Sequence, residues 1–230
     1  ISWKGQKDAL KIAMAFNQTP TCDLRVNRLR IRPEIMKQKF EAAGFKSIYI
    51  DDCPDGLQVT KGFGDLQEWP GFKEGFWCVQ DRSAQWISPL LEVSPGERVL
   101  DACSAPGGKA THLAELMGNC GEILAVDRSK ERLQRVAANS TRLGCTCINS
   151  LVADASSLSD VMPEWKGSFD RILLDAPCSG LGTLSRHPDA RWRMSPEKIN
   201  ELVDLQSKLL EGLLPLLKSR GSLVYSTCSI

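Results

Sequence analysis

Histidine is almost absent from this sequence, with two in 230 residues, and the nine cysteines include no CxxC pair. That combination cannot complete a zinc framework. Cys145 and Cys147 form a CxC without a second pair, so no metal is expected. No apolar run approaches the roughly 20 residues that span a membrane, no secretory signal opens the chain, and no low-complexity tract interrupts it. Net charge is also nearly absent: a formal +1 gives no chain-wide basic field, so any contact with nucleic acid must come from local clusters. An odd number of scattered thiols fits a reducing compartment, and a cytoplasmic location is expected. Most of these cysteines should be small core residues. There is no initiator Met: the chain opens at Ile1 inside what reads as a helix, Trp3 to Phe16, as expected of a piece of a longer protein.

What is present is the composition of an ordinary globular protein, 42% hydrophobic and 25% charged. Two regions separate near residue 80. In the first, residues 1–80, Leu24 and Val26 alternate as in a strand. Pro33 then starts a helix with Met36, Phe40 and Ala43 on one face. Ser47 to Ile50 and Gly56 to Thr60 read as strands, and Lys61 to Gly75 as loop. This predicts a small α+β module. In the second, residues 81–230, helix and strand alternate: helix Ser83–Leu91, strand Arg98–Ala102, helix Lys109–Met117, strand Glu122–Asp127, helix Ser129–Leu143, strands Cys147–Ala153 and Arg171–Asp175, helix Pro196–Leu217, strand Ser222–Thr227. Such alternation predicts an α/β fold, a doubly wound, Rossmann-like parallel sheet. The chain stops at Ile230 directly after a strand, where further C-terminal strands are expected.

The unusual residues cluster after strand ends. In an open parallel sheet those ends line one crevice, where ligands bind. Within Asp101-Ala-Cys-Ser-Ala-Pro-Gly-Gly-Lys109, Gly107 and Gly108 let a ligand approach backbone N–H groups where a helix begins. The run is neither a Walker A loop nor GxGxxG. Asp127 at the next strand end can bridge the hydroxyls of a ribose, so an adenosyl ligand is indicated without saying which. Asp154 is a candidate partner for the adenine amino group, or simply a helix cap. Asp175-Ala-Pro-Cys-Ser-Gly180 places Cys178 beside a carboxylate, and Ser226-Thr-Cys-Ser229 places Cys228 at another strand end. Two cysteines so placed suit attack on carbon 6 of cytosine. A thiolate added there makes carbon 5 nucleophilic, and the adduct must afterwards be broken. Asp175 can hydrogen-bond the base and favour addition.

These three motifs, in this order, resemble the RNA cytosine-5 methyltransferases of the Nol1/Nop2/Sun group, and most closely its bacterial RsmB-type branch, which modifies 16S ribosomal RNA. The resemblance runs from about residue 20 to the end. It implies S-adenosyl-L-methionine as cofactor, Cys228 as nucleophile and Cys178 as the residue assisting release. It also implies cofactor contacts from Cys103, Ser104, Ala105, Pro106, Gly107, Gly108, Lys109, Asp127, Arg132, Asp154 and Asp175. DNA cytosine-5 methyltransferases use the cysteine of the Pro177-Cys178 motif instead, so a second cysteine at 228 favours RNA. The first region would correspond to the family's RRM-like extension, with residues 1–16 expected at most to be the end of an upstream helical domain.

Arg186-His187, Arg191, Trp192 and Arg193 follow the Cys178 motif. They are candidate RNA contacts, with Trp192 either stacking on an unpaired base or anchoring the loop in the core. Arg25, Arg28, Arg30 and Arg32 form a second basic cluster, from which Arg28 and Arg30 are candidate contacts; a plain exposed edge is the alternative. A crevice cysteine can reach only a single-stranded or flipped cytosine. His112, inside the first helix of the larger region, is expected to be structural. Ribosomal RNA is the expected substrate, with transfer RNA as the alternative within the family. A nucleotide-dependent oxidoreductase on the same fold would leave both cysteines without a task, and so would a non-catalytic RNA-binding scaffold.

Overall fold

The computed structural model describes residues 5–229. The expected first helix is α1, Gly5–Phe16, with none of its residues buried; Trp3 lies outside the described residues. Four strands then form an antiparallel sheet: β1 (Cys22–Val26), β2 (Lys46–Ile50), β3 (Cys53–Lys61) and β4 (Trp77–Val79), in the order β2-β3-β1-β4. Helix α2 (Pro33–Ala42) buries Met36 and Phe40 against Leu24, Val26, Leu57 and Trp77. Strand β4 follows a segment read from sequence as loop; three residues are too few to show a period. Its Trp77 is fully buried and donates Nε1–H to the Pro70 carbonyl at 2.7 Å.

Strand β1 is buried on both faces. Leu24 and Val26 face α2, whereas Asp23 and Arg25, 1% and 0% exposed, belong to the other face. This corrects the reading of Arg25 as part of a basic surface cluster: its neighbours in sequence, Arg28, Arg30 and Arg32, are exposed, but Arg25 is interior.

The expected helix Ser83–Leu91 is broken into α3 (Arg82–Gln85) and a separate 3-10 turn, Ser88–Leu91. Pro89 supplies the reason: it lacks an N–H and disfavours helical geometry at the residue before it.

The rest is the parallel sheet predicted from the alternation. Strands β5 (Arg98–Asp101), β6 (Glu122–Asp127), β7 (Ile148–Val152), β8 (Phe169–Asp175) and β9 (Leu217–Ser226) lie in the order β7-β6-β5-β8-β9. Between them run α4 (Gly108–Leu116), α5 (Lys130–Leu143), the short α6 (Leu158–Val161) and α7 (Ala190–Arg193), and α8 (Pro196–Leu213). Alternate residues of the strands feed two cores. Val99, Ile123 and Leu173 pack with Leu113 and Ala114 of α4 and with Met117 just past its end; Leu100, Ile172 and Leu174 pack with Leu209 and Leu213 of α8. Helix α8 ends four residues earlier than the periodicity predicts, because Pro215 cannot continue it, and β9 starts correspondingly earlier, at Leu217. The strand order reverses between β5 and β8, so the carboxyl ends of these two strands flank the crevice in which such sheets bind ligands.

Candidate active site

Strand ends deliver the site residues. An open cavity of about 250 Å³ is lined by Cys103, Ala105, Asp127, Arg132, Asp154, Asp175, Cys178 and Cys228, all expected from the sequence. Arg128, Leu205 and Leu209 also line it and were not anticipated. Ser104, Pro106, Gly108 and Lys109 line an adjoining depression together with Asp101 and Asp175.

The loop after β5 is held from behind. Gly107 adopts φ +99, and a Cβ there would come within 3.0 Å of the Val136 backbone, so only glycine brings the turn this close to α5. Arg132 donates to the Ala105 carbonyl at 2.7 Å, Asn139 to Pro106 at 3.1 Å, and the Thr111 hydroxyl to Gly107 at 2.9 Å. Asp101, 1% exposed, has neither carboxylate oxygen bonded, and the buried Ser104 hydroxyl is likewise unpaired. Burial pushes the Asp101 carboxyl up to about 7.

Asp127 is 6% exposed; one oxygen accepts the Ser129 N–H at 2.9 Å, and the other lies 3.4 Å from the Arg132 guanidinium. Asp154 has the capping role considered for it. It caps the turn Ala155–Ser157 through the Ser156 N–H at 2.9 Å and also lines the cavity. The Ser156 hydroxyl, bonded to the same carboxylate, holds its pKa below the usual range. Asp175 accepts from Lys109 Nζ at 2.5 Å and from Ser226 Oγ at 2.7 Å, which joins the first, second and third motifs through one carboxylate.

The two cysteine motifs meet. Cys178 Sγ and Cys228 Sγ are 3.1 Å apart, and the Cys228 N–H donates to Cys178 Sγ at 3.2 Å. Ser179 and Ser229 share a hydroxyl hydrogen bond of 2.9 Å, and the Gly182 N–H donates to the Cys228 carbonyl at 2.9 Å. A Cβ on Gly182 would meet that carbonyl oxygen at 2.7 Å, so the close approach requires glycine. Hydrogen bonding from Cys228 and from backbone N–H groups brings the Cys178 thiol down to about 5, while the same bond raises Cys228. The two thiols titrate as one unit. The first proton leaves well below the ordinary thiol range, and the second is retained. Cys103, half-buried and surrounded by Asp101, Asp127 and Asp175, is instead pushed up to about 12, first by burial. His112 is buried, and burial holds its imidazole well below the usual value.

The candidate RNA contacts do not line the cavity. Arg186 is committed to the Asp81 carboxylate at 2.8 Å and the Thr21 carbonyl at 3.0 Å. Arg191 donates to Asn17 at 2.8 Å, and Arg193 pairs with Asp189 at 2.9 Å. His187 is exposed. Trp192 is 88% exposed, which corrects the alternative in which it anchors the loop in the core. Arg28 pairs with Asp55, and Arg30 donates to the Leu143 and Glu74 carbonyls at 3.0 Å. Among the described residues no cluster of metal-binding side chains occurs, and no helix is long and apolar enough to cross a membrane.

One residue missed from the sequence is Gln206. Its side chain donates to the Pro177 carbonyl at 2.7 Å and accepts from the Tyr225 hydroxyl at 2.8 Å, bracing the turn that carries Cys178. A glutamine next to Leu205 on the packed side of an amphipathic helix was the available signal.

Residues 88–230 match the family model described as 16S rRNA methyltransferase RsmB/F. The chain belongs to this family. Residues 2–64 match the ferredoxin-like domain of the same RsmF/B proteins, the counterpart of the small module. The probable ribosomal RNA small subunit methyltransferase B of Synechocystis is 44% identical over 98% of this chain and 50% of its own length. Its Escherichia coli namesake is 42% identical over 95% of this chain and 50% of its own. The chain therefore spans about half the length of these RsmB relatives. A methyltransferase homologue from Pyrococcus horikoshii superposes with a TM-score of 0.85 at 32% identity, covering 97% of this chain and 70% of its own. NSun6 from the same organism, at 24% identity, shares the fold with a TM-score of 0.88 over 98% of this chain and 80% of its own.

Proposed function

We propose that this chain carries the catalytic unit of an S-adenosylmethionine-dependent methyltransferase that modifies carbon 5 of a cytosine in ribosomal RNA. The observation that carries the reading is the pair of thiols 3.1 Å apart on the rim of a cavity whose wall holds Asp127 and Asp154. A buried carboxylate at the second strand end and a glycine turn with its carbonyls tied back fit an adenosyl ligand. When bound, the donor supplies an electrophilic methyl group. Residues 103–109 and Arg132 would shape its site, Asp127 would hold the ribose hydroxyls, and Asp154 the adenine.

The chain's own part is thiol chemistry. Once the pair has lost its first proton, the remaining proton is shared across the 3.1 Å contact, and in the form that carries it on Cys178 the Cys228 sulfur is the thiolate. Cys228 Sγ then bonds to carbon 6 as the double bond between carbons 5 and 6 opens, leaving carbon 5 nucleophilic. After methylation, loss of the carbon 5 proton to a base restores that double bond and breaks the carbon–sulfur bond, returning the sulfur to Cys228. Cys178 is placed to hydrogen-bond the departing sulfur. Asp175, fixed by Lys109 and Ser226, is placed to orient the base. Exposed Trp192 and its neighbouring arginines offer a stacking and phosphate surface for a single-stranded or flipped cytosine. The names of the RsmB relatives favour ribosomal over transfer RNA as the substrate.

Isothermal titration against S-adenosylmethionine and NAD, followed by nucleoside mass spectrometry of RNA incubated with the protein and the donor, tests the reading. Binding of the methyl donor alone and formation of 5-methylcytosine are expected. Binding of NAD instead, or methylation at another atom, would contradict it.

A further inference from the structure

Arg25 has no part in the chemistry above, yet it is a fully buried guanidinium from the small module with all five N–H donors engaged. Nε and Nη2 bind the Glu115 carboxylate of α4 at 3.2 and 2.7 Å. Nη2 also donates to Thr111 Oγ1 at 3.1 Å. Nη1 donates to the Gln80 side chain and, at 2.7 Å, to the Gly108 carbonyl. Thr111, which accepts from Arg25, donates its hydroxyl hydrogen bond to the Gly107 carbonyl at 2.9 Å. The guanidinium therefore reaches both glycines of the turn, one directly and one through a hydroxyl. With Arg132 on Ala105 and Asn139 on Pro106, four successive carbonyls are held by side chains. Two of these grips come from α5, within the parallel-sheet domain. Gly107 is held within the same domain by the Thr111 N–H and hydroxyl, each at 2.9 Å, and Gly108 is gripped from a strand of the other domain through Arg25.

Replacing a buried ion pair by well-packed apolar residues is often neutral for stability, whereas removing one partner is costly. We propose that Arg25 is a positioning residue for the methyl-donor site: it sets the Gly107–Gly108 turn, and thereby couples docking of the small module to donor affinity. The inference rests on the reading of residues 103–109 as the donor loop. Coupling of this kind is reciprocal, so the donor in turn strengthens the docking.

The test uses the whole chain, with Arg25→Lys and Thr111→Val each compared with the parent. Lysine keeps the charge opposite Glu115 but lacks the planar fork that reaches Gly108 as well. Valine removes the hydroxyl at similar volume, and with it the relay to Gly107 and one acceptor of Arg25, while the carboxylate partner Glu115 stays in place. Titration with S-adenosylmethionine is expected to show a Kd raised about tenfold for Arg25→Lys and about fivefold for Thr111→Val, within the usual span of coupling between sites. Hydrogen exchange should show that donor binding protects β1 in the parent and much less in the variants, a readout that a purely structural role would not move. Parent-like affinity in a folded Thr111→Val protein overturns the proposal, even if Arg25→Lys fails to fold. A parent that binds no donor refutes the functional reading instead.

Discussion

On the wall formed by β5, β6 and the glycine turn, Asp127 is 6% exposed and the loop carbonyls are each tied to a named side chain. On the side reached after Cys178, Trp192 is 88% exposed and the arginines around it are held only by surface partners. One wall is preorganised and the other open. The contrast suits a site that meets a small ligand of fixed shape on one side and a large polymer on the other. The polymer brings its own structure, so its contacts can order on arrival. The same contrast runs through the cysteines. Cys103, in the tied-down wall among carboxylates, has its pKa pushed up to about 12, whereas the Cys178–Cys228 pair at the rim loses its first proton early.

The largest expected effect sharpens that last difference. At pH 7, iodoacetamide should modify the rim pair at least about a hundredfold faster than Cys103, since the thiolate is the reactive form. Peptide mapping after timed quenching measures this, and equal rates would erase the contrast. Next is Asp127→Ala, expected to weaken S-adenosylmethionine binding by about 1.5–3 kcal/mol for each charged hydrogen bond removed. Titration calorimetry reads the change, and unchanged affinity would remove Asp127 from the ribose. Trp192→Ala should weaken RNA binding by about 1–3 kcal/mol while moving folding stability by less than about 0.5 kcal/mol. The opposite split would make Trp192 a packing residue.

A further prediction concerns Asp101. Its carboxyl has a raised pKa of about 7 in the fold, so the folded state holds a proton that the unfolded chain has already released. Stability of the free protein should therefore decline as pH rises from about 4 through 7. Asp101→Asn should flatten that decline in thermal melts across the range. An identical pH slope in the variant would show that Asp101 is not its source.

Much of the site was legible because strand ends, a glycine turn and short motifs are local signals, and the sheet topology carries them to one crevice. That Asp101, Asp127, Asp175, Cys178 and Cys228 would converge required only the alternation of strands and helices. Arg25 was not legible. Its acceptors on α4 lie 83 to 90 residues away, and in sequence it is one arginine among four. Trp192 allowed two opposite readings because a single aromatic in a polar segment has no periodicity to assign it a side. The helix breaks at Pro89 and Pro215 were visible but outweighed by flanking apolar spacing, and β4 was too short to declare itself.

The account turns on which sulfur attacks. RNA carrying the target cytosine, incubated with methyl donor and the Cys178→Ser protein, should yield a denaturant-resistant adduct, and peptide mass mapping should place the nucleotide on Cys228. Cys228→Ser should yield neither adduct nor methylated product. An adduct that persists in Cys228→Ser and maps to Cys178 would reverse the roles of the two thiols and contradict the proposal.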